Sequence, residues 1–304
     1  MNNGFLLVDK PEGITSHDVV NEIRKIFSTK KVGHSGTLDP FATGLLIIGV
    51  NKGTRLLEYL QHQDKVYHVK AKLGIITDTF DITGKITEKN EFTDSEIEKL
   101  EDTIISFIGK YKQVPPMYSA RKYKGKKLYE LAREGKIIKM PPKEVEIYDI
   151  WNISIKDHGE FEFTCKVSSG TYIRSLIMDI GYKIGCGAVT TELRRLNVGK
   201  FSIDKAVELE KISSENLIPL LDVLDFPKVI LNNEGIENVK HGRQIVVDNI
   251  IKFEDFKKDT LVSLIDNKNN LLAIAKAERT SSFINTLINQ NRNERVFKLK
   301  KVFI

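Results

Sequence analysis

Leu45-Leu46-Ile47-Ile48-Gly49-Val50 is an apolar run of strand length, the pattern of a buried strand. What lies just before it constrains the chain further. Val32-Gly33-His34-Ser35-Gly36-Thr37-Leu38-Asp39-Pro40-Phe41-Ala42-Thr43-Gly44 brackets one carboxylate with three glycines. Glycine lacks a Cβ, so it can take positive φ or let backbone approach a ligand closely. Pro40 pushes the residue before it toward extended backbone and away from helix. The stretch is therefore a loop that holds the carboxylate of Asp39 on stiffened backbone beside a core strand. Two readings of Asp39 stand at this point: it bonds nearby backbone to stabilise a turn, or it is an acid presented for chemistry.

The chain has 304 residues, enough for two domains at about 150 residues each. With 41% hydrophobic and 29% charged residues it has ordinary globular composition, which excludes a disordered chain. Cys165 and Cys186 form no Cys-x-x-Cys pair, so neither a disulfide framework nor a zinc site is indicated, and a reducing cytoplasm is expected. The start of the sequence lacks a basic segment followed by a long apolar one, and no run approaches the length of a membrane span. These features predict a cytoplasmic protein with no membrane partner.

The formal charge of +6 can be assigned to one segment. Arg121, Lys122, Lys124, Lys126, Lys127, Arg133, Lys136 and Lys139 stand against only Glu130 and Glu134, a surplus equal to that of the whole chain. A concentrated basic stripe suits phosphate binding with counterion release. Tyr123 and Tyr129 within it offer stacking surfaces. A solvated helix face is the simpler alternative.

Taken in order, Phe5 to Val8 reads as a strand, the Pro11-Glu12-Gly13 turn follows, and Ser16 is placed as the N-cap of a helix carrying Val19, Val20, Ile23, Ile26 and Phe27. Thr54 is a candidate cap for a short helix with Leu56, Leu57 and Leu60 inward. His62 and His68 lack a third ligand at metal spacing. From 66 to 73 the residues alternate, with Tyr67 opening the apolar face. Tyr67 is either a core tyrosine or, at a strand end, a ring for stacking on a base. Residues 77–84 superficially suggest a calcium loop, but Thr79, Thr83 and Asn90 fall where carboxylates are needed.

Thr93-Asp94-Ser95-Glu96 is a capping box opening a helix with Ile97, Leu100, Ile104, Phe107 and Ile108 on one face, stopped by Gly109. Strands are expected over 145–155 and 161–167, the latter with Phe161, Phe163, Cys165 and Val167 on one face. Tyr172 to Ile180 reads as a helix with Arg174 near its start, where a cation opposes the helix dipole and calls for an anionic partner. A surface ion pair and an active-site carboxylate both meet that need. Residues 191–199 read as a strand whose Arg194 and Arg195 face phosphate or solvent. After 220–227 the pattern changes to short strands, with a hairpin across Asp266-Asn267-Lys268-Asn269-Asn270.

Several of these segments together resemble bacterial TruB-type tRNA pseudouridine synthases. They are Lys10-Pro11-x-Gly13-x-Thr15-Ser16, Gly33 to Pro40, Lys65-Val66-Tyr67, Thr77 to Asp81, Pro115-Pro116-x-Tyr118-Ser119-Ala120, Gly170 to Arg174 and Leu193 to Leu196, in family order. The resemblance implies an α+β fold, with a mixed, mostly antiparallel sheet and flanking helices over 1–225 and a basic RNA-contacting insertion near 111–145. It also implies a small β-rich PUA-like RNA-binding domain over 226–304, on position, size and a few residues such as Gly242. The implied activity is isomerisation of uridine 55 in the tRNA T-loop by base flipping. Asp39 would be the catalytic aspartate, Tyr67 would stack on the uracil, and Arg174 would pair with Asp39. His34 would help hold the nucleotide, and Tyr172 and Leu193 would line the base pocket. The partner expected is the T-loop and stem of tRNA, with no cofactor, no metal and no obligate protein partner. Two alternatives share these features: a tRNA-binding or folding module, and a guide-RNA-dependent synthase. A glycosidase using Asp39 with Asp78 or Asp81 lacks any sign of the carboxylate separation that chemistry requires.

Overall fold

The computed structural model describes residues 2–116, 118, 122–123, 126–127 and 140–304, residues 122–123 and 126–127 as backbone only. The charge-rich stripe and its two tyrosines thus lie almost wholly outside the described residues. Two compact units result, one of Met1–Asn2 with Leu6–Asn216 and a second that joins Asn3–Phe5 to Leu217–Ile304.

The first unit is built on β1 (Gly4–Lys10), β2 (Val32–His34), β3 (Thr43–Val50), β4 (Lys65–Leu73), β5 (Ile75–Thr77), β6 (Ile86–Lys89) and β7 (Gly109–Gln113). After the short pair β8 (Lys122–Tyr123) and β9 (Lys126–Lys127) come β10 (Lys143–Ile155), β11 (Glu160–Val167), β12 (Ala188–Val198), β13 (Phe201–Ser202) and β14 (Val207–Glu208). Its main sheet runs β14-β1-β3-β12-β4-β11-β10-β7, with β2 beside β3 and β13 beside β12. β1 with β14 and β3 with β12 are parallel, whereas the run from β12 through β4, β11 and β10 to β7 is antiparallel. This is the mixed, mostly antiparallel sheet with flanking helices that the family resemblance implies.

Burial follows the sequence pattern. Leu45 to Val50 on β3 is buried throughout, as expected of a strand covered on both faces. On β4 the odd positions from Lys65 to Leu73 are buried and the even ones half-buried. Phe161, Phe163, Cys165 and Val167 are buried together on β11.

The helices differ in detail. In α1 (Ser16–Ile26) the N-cap is Thr15, not Ser16, because Thr15 and Asp18 complete a reciprocal capping box; Ile26 at the far end is exposed. The helix α2 (Leu57–Gln61) buries Leu57 and Leu60 but has no side-chain cap, since Thr54 instead bonds the carbonyl of Asn51. The capping box at Thr93 is present, yet the single helix expected there is two short ones, α3 (Asp94–Glu98) and α4 (Leu100–Ile105). Ile108 is left exposed because the chain turns through Gly109, at φ +109, into β7. The long helix α5 (Ile173–Ile184) buries Ile173, Leu176, Ile177 and Ile180 and packs on β12.

The second unit carries a six-stranded sheet in the order β16-β20-β19-β18-β15-β17. Its strands are β15 (Lys228–Leu231), β16 (Ile245–Val246), β17 (Ile250–Phe253), β18 (Leu261–Ile265), β19 (Leu271–Ala277) and β20 (Arg295–Val302), with helices α6 (Asn233–Lys240) and α7 (Ser281–Asn289). Its own core gathers Val229, Leu264, Ala275, Ile284 and Phe297. The expected hairpin joins β18 to β19, its turn tied by the Asp266 carboxylate, which accepts from the amides of Lys268 and Asn270. Among the described residues no helix is long and apolar enough to cross a membrane.

Candidate active site

The loop between β2 and β3 is held by side chains from three distant elements. Ser16 Oγ accepts from the Leu38 amide at 2.8 Å and donates to the Leu38 carbonyl at 3.1 Å, which is why Ser16 is buried inside α1 and the cap falls to Thr15. Lys10 is fully buried, and its ammonium donates to the carbonyls of Pro11, Ile14 and Pro40. Arg195 is 2% exposed and donates to the carbonyls of Leu45, Thr37 and Gly36 at 2.7, 3.4 and 3.2 Å. It therefore faces neither phosphate nor solvent; buried backbone acceptors take up its donors. Arg194 pairs with Asp9 instead, Nη2 to Oδ2 at 2.6 Å.

Of the three loop glycines, Gly44 is the one the backbone demands. Its φ is +101, and a Cβ there would stand 2.3 Å from the Arg195 carbonyl oxygen, so β3 approaches β12 only because no side chain intervenes. Arg194 and Arg195 are the register partners of Thr43 and Gly44 across this parallel pair.

With the loop braced from outside, the Asp39 carboxylate is not used to hold its own turn. Arg174 Nε stands 2.9 Å from Asp39 Oδ2, and the same guanidinium's Nη1 is 3.1 Å from Asp81 Oδ2. Arg174 also donates to the Thr79 and Tyr118 carbonyls at 2.6 and 2.8 Å. Its side chain is 4% exposed and that of Asp81 5%, against 33% for Asp39. The Asp39 carboxylate is thus the one member of the triad open to a ligand, though protein surrounds its other sides. The hydroxyls of Thr79 and Thr83 donate to Asp81 Oδ1 at 2.9 and 2.6 Å, and so does the Thr83 amide at 3.1 Å. The cation at the start of α5 is accounted for by two carboxylates, the buried Asp81 and the partly exposed Asp39, which offset its unfavourable place in the helix dipole.

Enclosure pushes the Asp39 carboxyl above its ordinary range; Arg174 opposes this, Asp81 adds to it, and Lys10 opposes it more weakly. Burial brings Lys10 down to about 8, against the pull of Asp39. It also brings Lys65 down to about 8, aided by the charge of Arg195. Lys65 spends its ammonium on the Gln61 and Gln63 carbonyls, at 2.9 and 2.6 Å.

Asp39 opens into a cleft of about 400 Å³ whose walls include His34, Tyr67, Tyr172, Arg174 and Leu193. All six residues singled out in the sequence therefore meet in one place. His34 comes from β2, Tyr67 from β4, Leu193 from β12, and Tyr172 and Arg174 from the start of α5. Tyr67 and Leu193 are 8% and 7% exposed, so both are nearly buried yet edge the cleft. In the sequence Asp81 stands out only within the Thr77 to Asp81 segment and as a glycosidase partner that the spacing does not support; its place beside Arg174 has no signal in spacing. Lys65, two residues before Tyr67 and on the same strand face, also lines the cleft.

Among the described residues no group of His, Cys, Asp and Glu is placed to hold a metal ion. Both cysteines are free and buried, and burial pushes the Cys165 thiol up to about 12, which leaves it inert at neutral pH. The second unit has a cleft of about 580 Å³, but every residue lining it is charged, so it offers a base no aromatic ring to stack on.

Residues 24–173 match the model of the TruB family pseudouridylate synthase N-terminal domain, and residues 174–219 match that of the tRNA pseudouridylate synthase B C-terminal domain. The tRNA pseudouridine synthase B of Thermotoga petrophila is 49% identical over 308 residues, covering 100% of this chain and 99% of that protein. That of Thermosipho melanesiensis is 53% identical over 305 residues, covering 99% and 98%. Among solved structures, a chain of an H/ACA RNP bound to a substrate RNA containing 2′-deoxyuridine is similar at 26% identity and a TM-score of 0.71, with 99% of this chain and 85% of that one covered. A chain of a Cbf5–Nop10–Gar1 complex is similar at 27% identity and a TM-score of 0.70, with the same coverage. The braced aspartate loop, the order of its motifs along the chain and these full-length matches agree: the chain belongs to the TruB family of pseudouridylate synthases.

Proposed function

We propose that the protein isomerises uridine 55 in the T-loop of tRNA to pseudouridine, acting on the base after it has left the stack. The observation that carries this reading is the Asp39 carboxylate, open to a base-sized cleft and held by Arg174 at 2.9 Å. Moving the glycosidic bond from N1 to C5 of uracil requires the base to be detached, held, turned and rejoined. Asp39 serves as the nucleophile or the base in that sequence, and Arg174 keeps its charged form accessible. Tyr67 stacks on the uracil, Tyr172 and Leu193 shape its pocket, and His34 holds the extruded nucleotide. Extrusion costs about a few kcal/mol, which binding of the surrounding RNA offsets. The names of the relatives, all tRNA pseudouridine synthase B, support tRNA as substrate. The basic segment near 111–145 and the second unit, read as a PUA-like domain with Lys258, Lys298 and Lys300 along its charged cleft, would supply phosphate contacts.

Incubation of an unmodified tRNA transcript with the purified protein, followed by mapping of pseudouridine, tests the reading. One modified site at position 55 is expected; no product, or product elsewhere, would overturn it. A second reading, catalysis guided by a separate RNA, is favoured by the likeness to a chain of an H/ACA RNP. Turnover of a bare T-arm stem-loop by the protein alone decides against that requirement.

A further inference from the structure

We propose that Gln113 is a positioning residue for the reaction: its side-chain amide, reaching from the end of β7, sets where α5 begins and so where Tyr172 and Arg174 stand in the cleft. The proposal rests on the function proposed for that cleft.

Gln113 is 1% exposed. Its Oε1 accepts from the Tyr172 amide at 2.8 Å, and its Nε2 donates to the Tyr172 carbonyl at 3.0 Å and to the Tyr111 hydroxyl. A donor on one side and a carbonyl on the other leave this amide a single orientation. The Tyr111 hydroxyl in turn stands beside Asp179, two turns on along α5, and the hydrogen bonds from Tyr172 through Gln113 to Tyr111 tie the start of that helix to one edge strand of the sheet.

The helix start needs such a support. Tyr172, its N-cap, makes no side-chain capping bond, and the buried cation of Arg174 sits where the helix dipole is unfavourable. The Gln113 amide engages the N–H and C=O of Tyr172 together, as a strand neighbour would. The chain beyond it continues along the same turn: Ser175 Oγ donates to the Val114 carbonyl at 2.9 Å, and Arg174 Nη2 to that of Tyr118 at 2.8 Å. Gln113 thus opens a strap running over the residues that aim Arg174 at Asp39.

The test is Gln113→Met in the full chain, which keeps length and volume but removes every hydrogen bond, assayed on a tRNA transcript well below the melting temperature. Affinity for the RNA should stay within about twofold while the single-turnover rate falls about ten- to a hundredfold, the scale of small misplacements of reacting groups. The acid limb of the rate profile should also move to higher pH. The charged groups facing Asp39 are Arg174 from α5, Lys10 from β1 and Asp81 from the turn after β5, and of these only Arg174 is carried by the helix that Gln113 anchors. A lower melting temperature with rate and acid limb unchanged would overturn the proposal, and so would loss of rate matched by loss of affinity. If Gln113→Met does not fold, Tyr111→Phe carries the same test with a smaller shift in the same directions; an unchanged rate and acid limb in it overturns the proposal. If the wild-type protein forms no pseudouridine, the functional reading has failed. Positioning is then read from a crystal structure of Gln113→Met (or of Tyr111→Phe): lengthening of the 2.9 Å Arg174–Asp39 contact supports it, and an unchanged contact overturns it.

Discussion

Arg174 Nε and Asp39 Oδ2 are 2.9 Å apart, and the same guanidinium reaches Asp81 Oδ2 at 3.1 Å. One buried cation is shared by two carboxylates, only one of which opens to the cleft. Asp81 is saturated by threonine hydroxyls and an amide, so Asp39 is the acid left available for a ligand.

Asp39→Asn should abolish pseudouridine formation, by about three orders of magnitude or more, while RNA affinity is retained. Its stability should not fall. The folded-state pKa of Asp39 is raised, so the native chain holds a proton at pH values where the unfolded chain has lost it. Ionisation of this group therefore weakens the fold as pH rises from the unfolded-state pKa to the raised folded-state one, and the loss persists above it. Thermal melts of wild type and variant at pH 7 decide it; a clear loss of melting temperature in the variant contradicts this account.

Removing the shared cation acts in the opposite way. Arg174→Met leaves two carboxylates facing each other in a nearly buried site and should cost about 3–5 kcal/mol, the usual penalty for breaking a buried pair. Arg174→Lys keeps the charge but not the fork that spans Asp39, Asp81 and two carbonyls. Chemical denaturation should rank wild type above Lys above Met. In any folded variant the acid limb of the rate profile should lie above that of wild type.

Two neighbouring hydroxyls should behave differently. Thr15→Ala removes a helix cap and should cost about 1 kcal/mol with little change in rate. Ser16→Ala leaves the buried Leu38 amide and carbonyl unpaired and should cost about 1–3 kcal/mol, and it should also slow turnover, because Leu38 adjoins Asp39. Equal rates in the two variants at matched temperature would dissociate the loop brace from catalysis.

Lys10 and Lys65 are brought down to about 8. Between that value and the ordinary lysine range, the folded chain has released protons that the unfolded chain still binds, so the part of the stability these groups govern rises with pH. The urea midpoint of wild type between about pH 8 and 10 should therefore show a more positive slope than that of Lys10→Met/Lys65→Met. Turnover should fall over the same interval, since a neutral Lys10 amine has two hydrogens for three carbonyls.

Much of this fold was written in local patterns. The alternation on β4, the continuous apolar run of β3 and the capping box at Thr93 are properties of neighbours in sequence. Where such local signals competed, the tertiary partner decided: Ser16 had a capping residue's chemistry, but Leu38 claimed its hydroxyl. Arg194 and Arg195 looked alike as adjacent charges on a strand, yet one pairs with Asp9 and the other is buried against loop carbonyls.

By itself the sequence determined the elements, the family and the six residues that meet in the cleft, because motif order and side-chain periodicity survive without coordinates. The residues that hold those six in place were decided only by the tertiary structure. Asp81, Lys10, Gln113 and Arg195 reach their partners across separations of 30 to 150 residues. Hydrogen bonds and ion pairs between such distant positions have no period for a sequence to display; they exist only once β12, β7 and α5 have packed around the loop that carries Asp39.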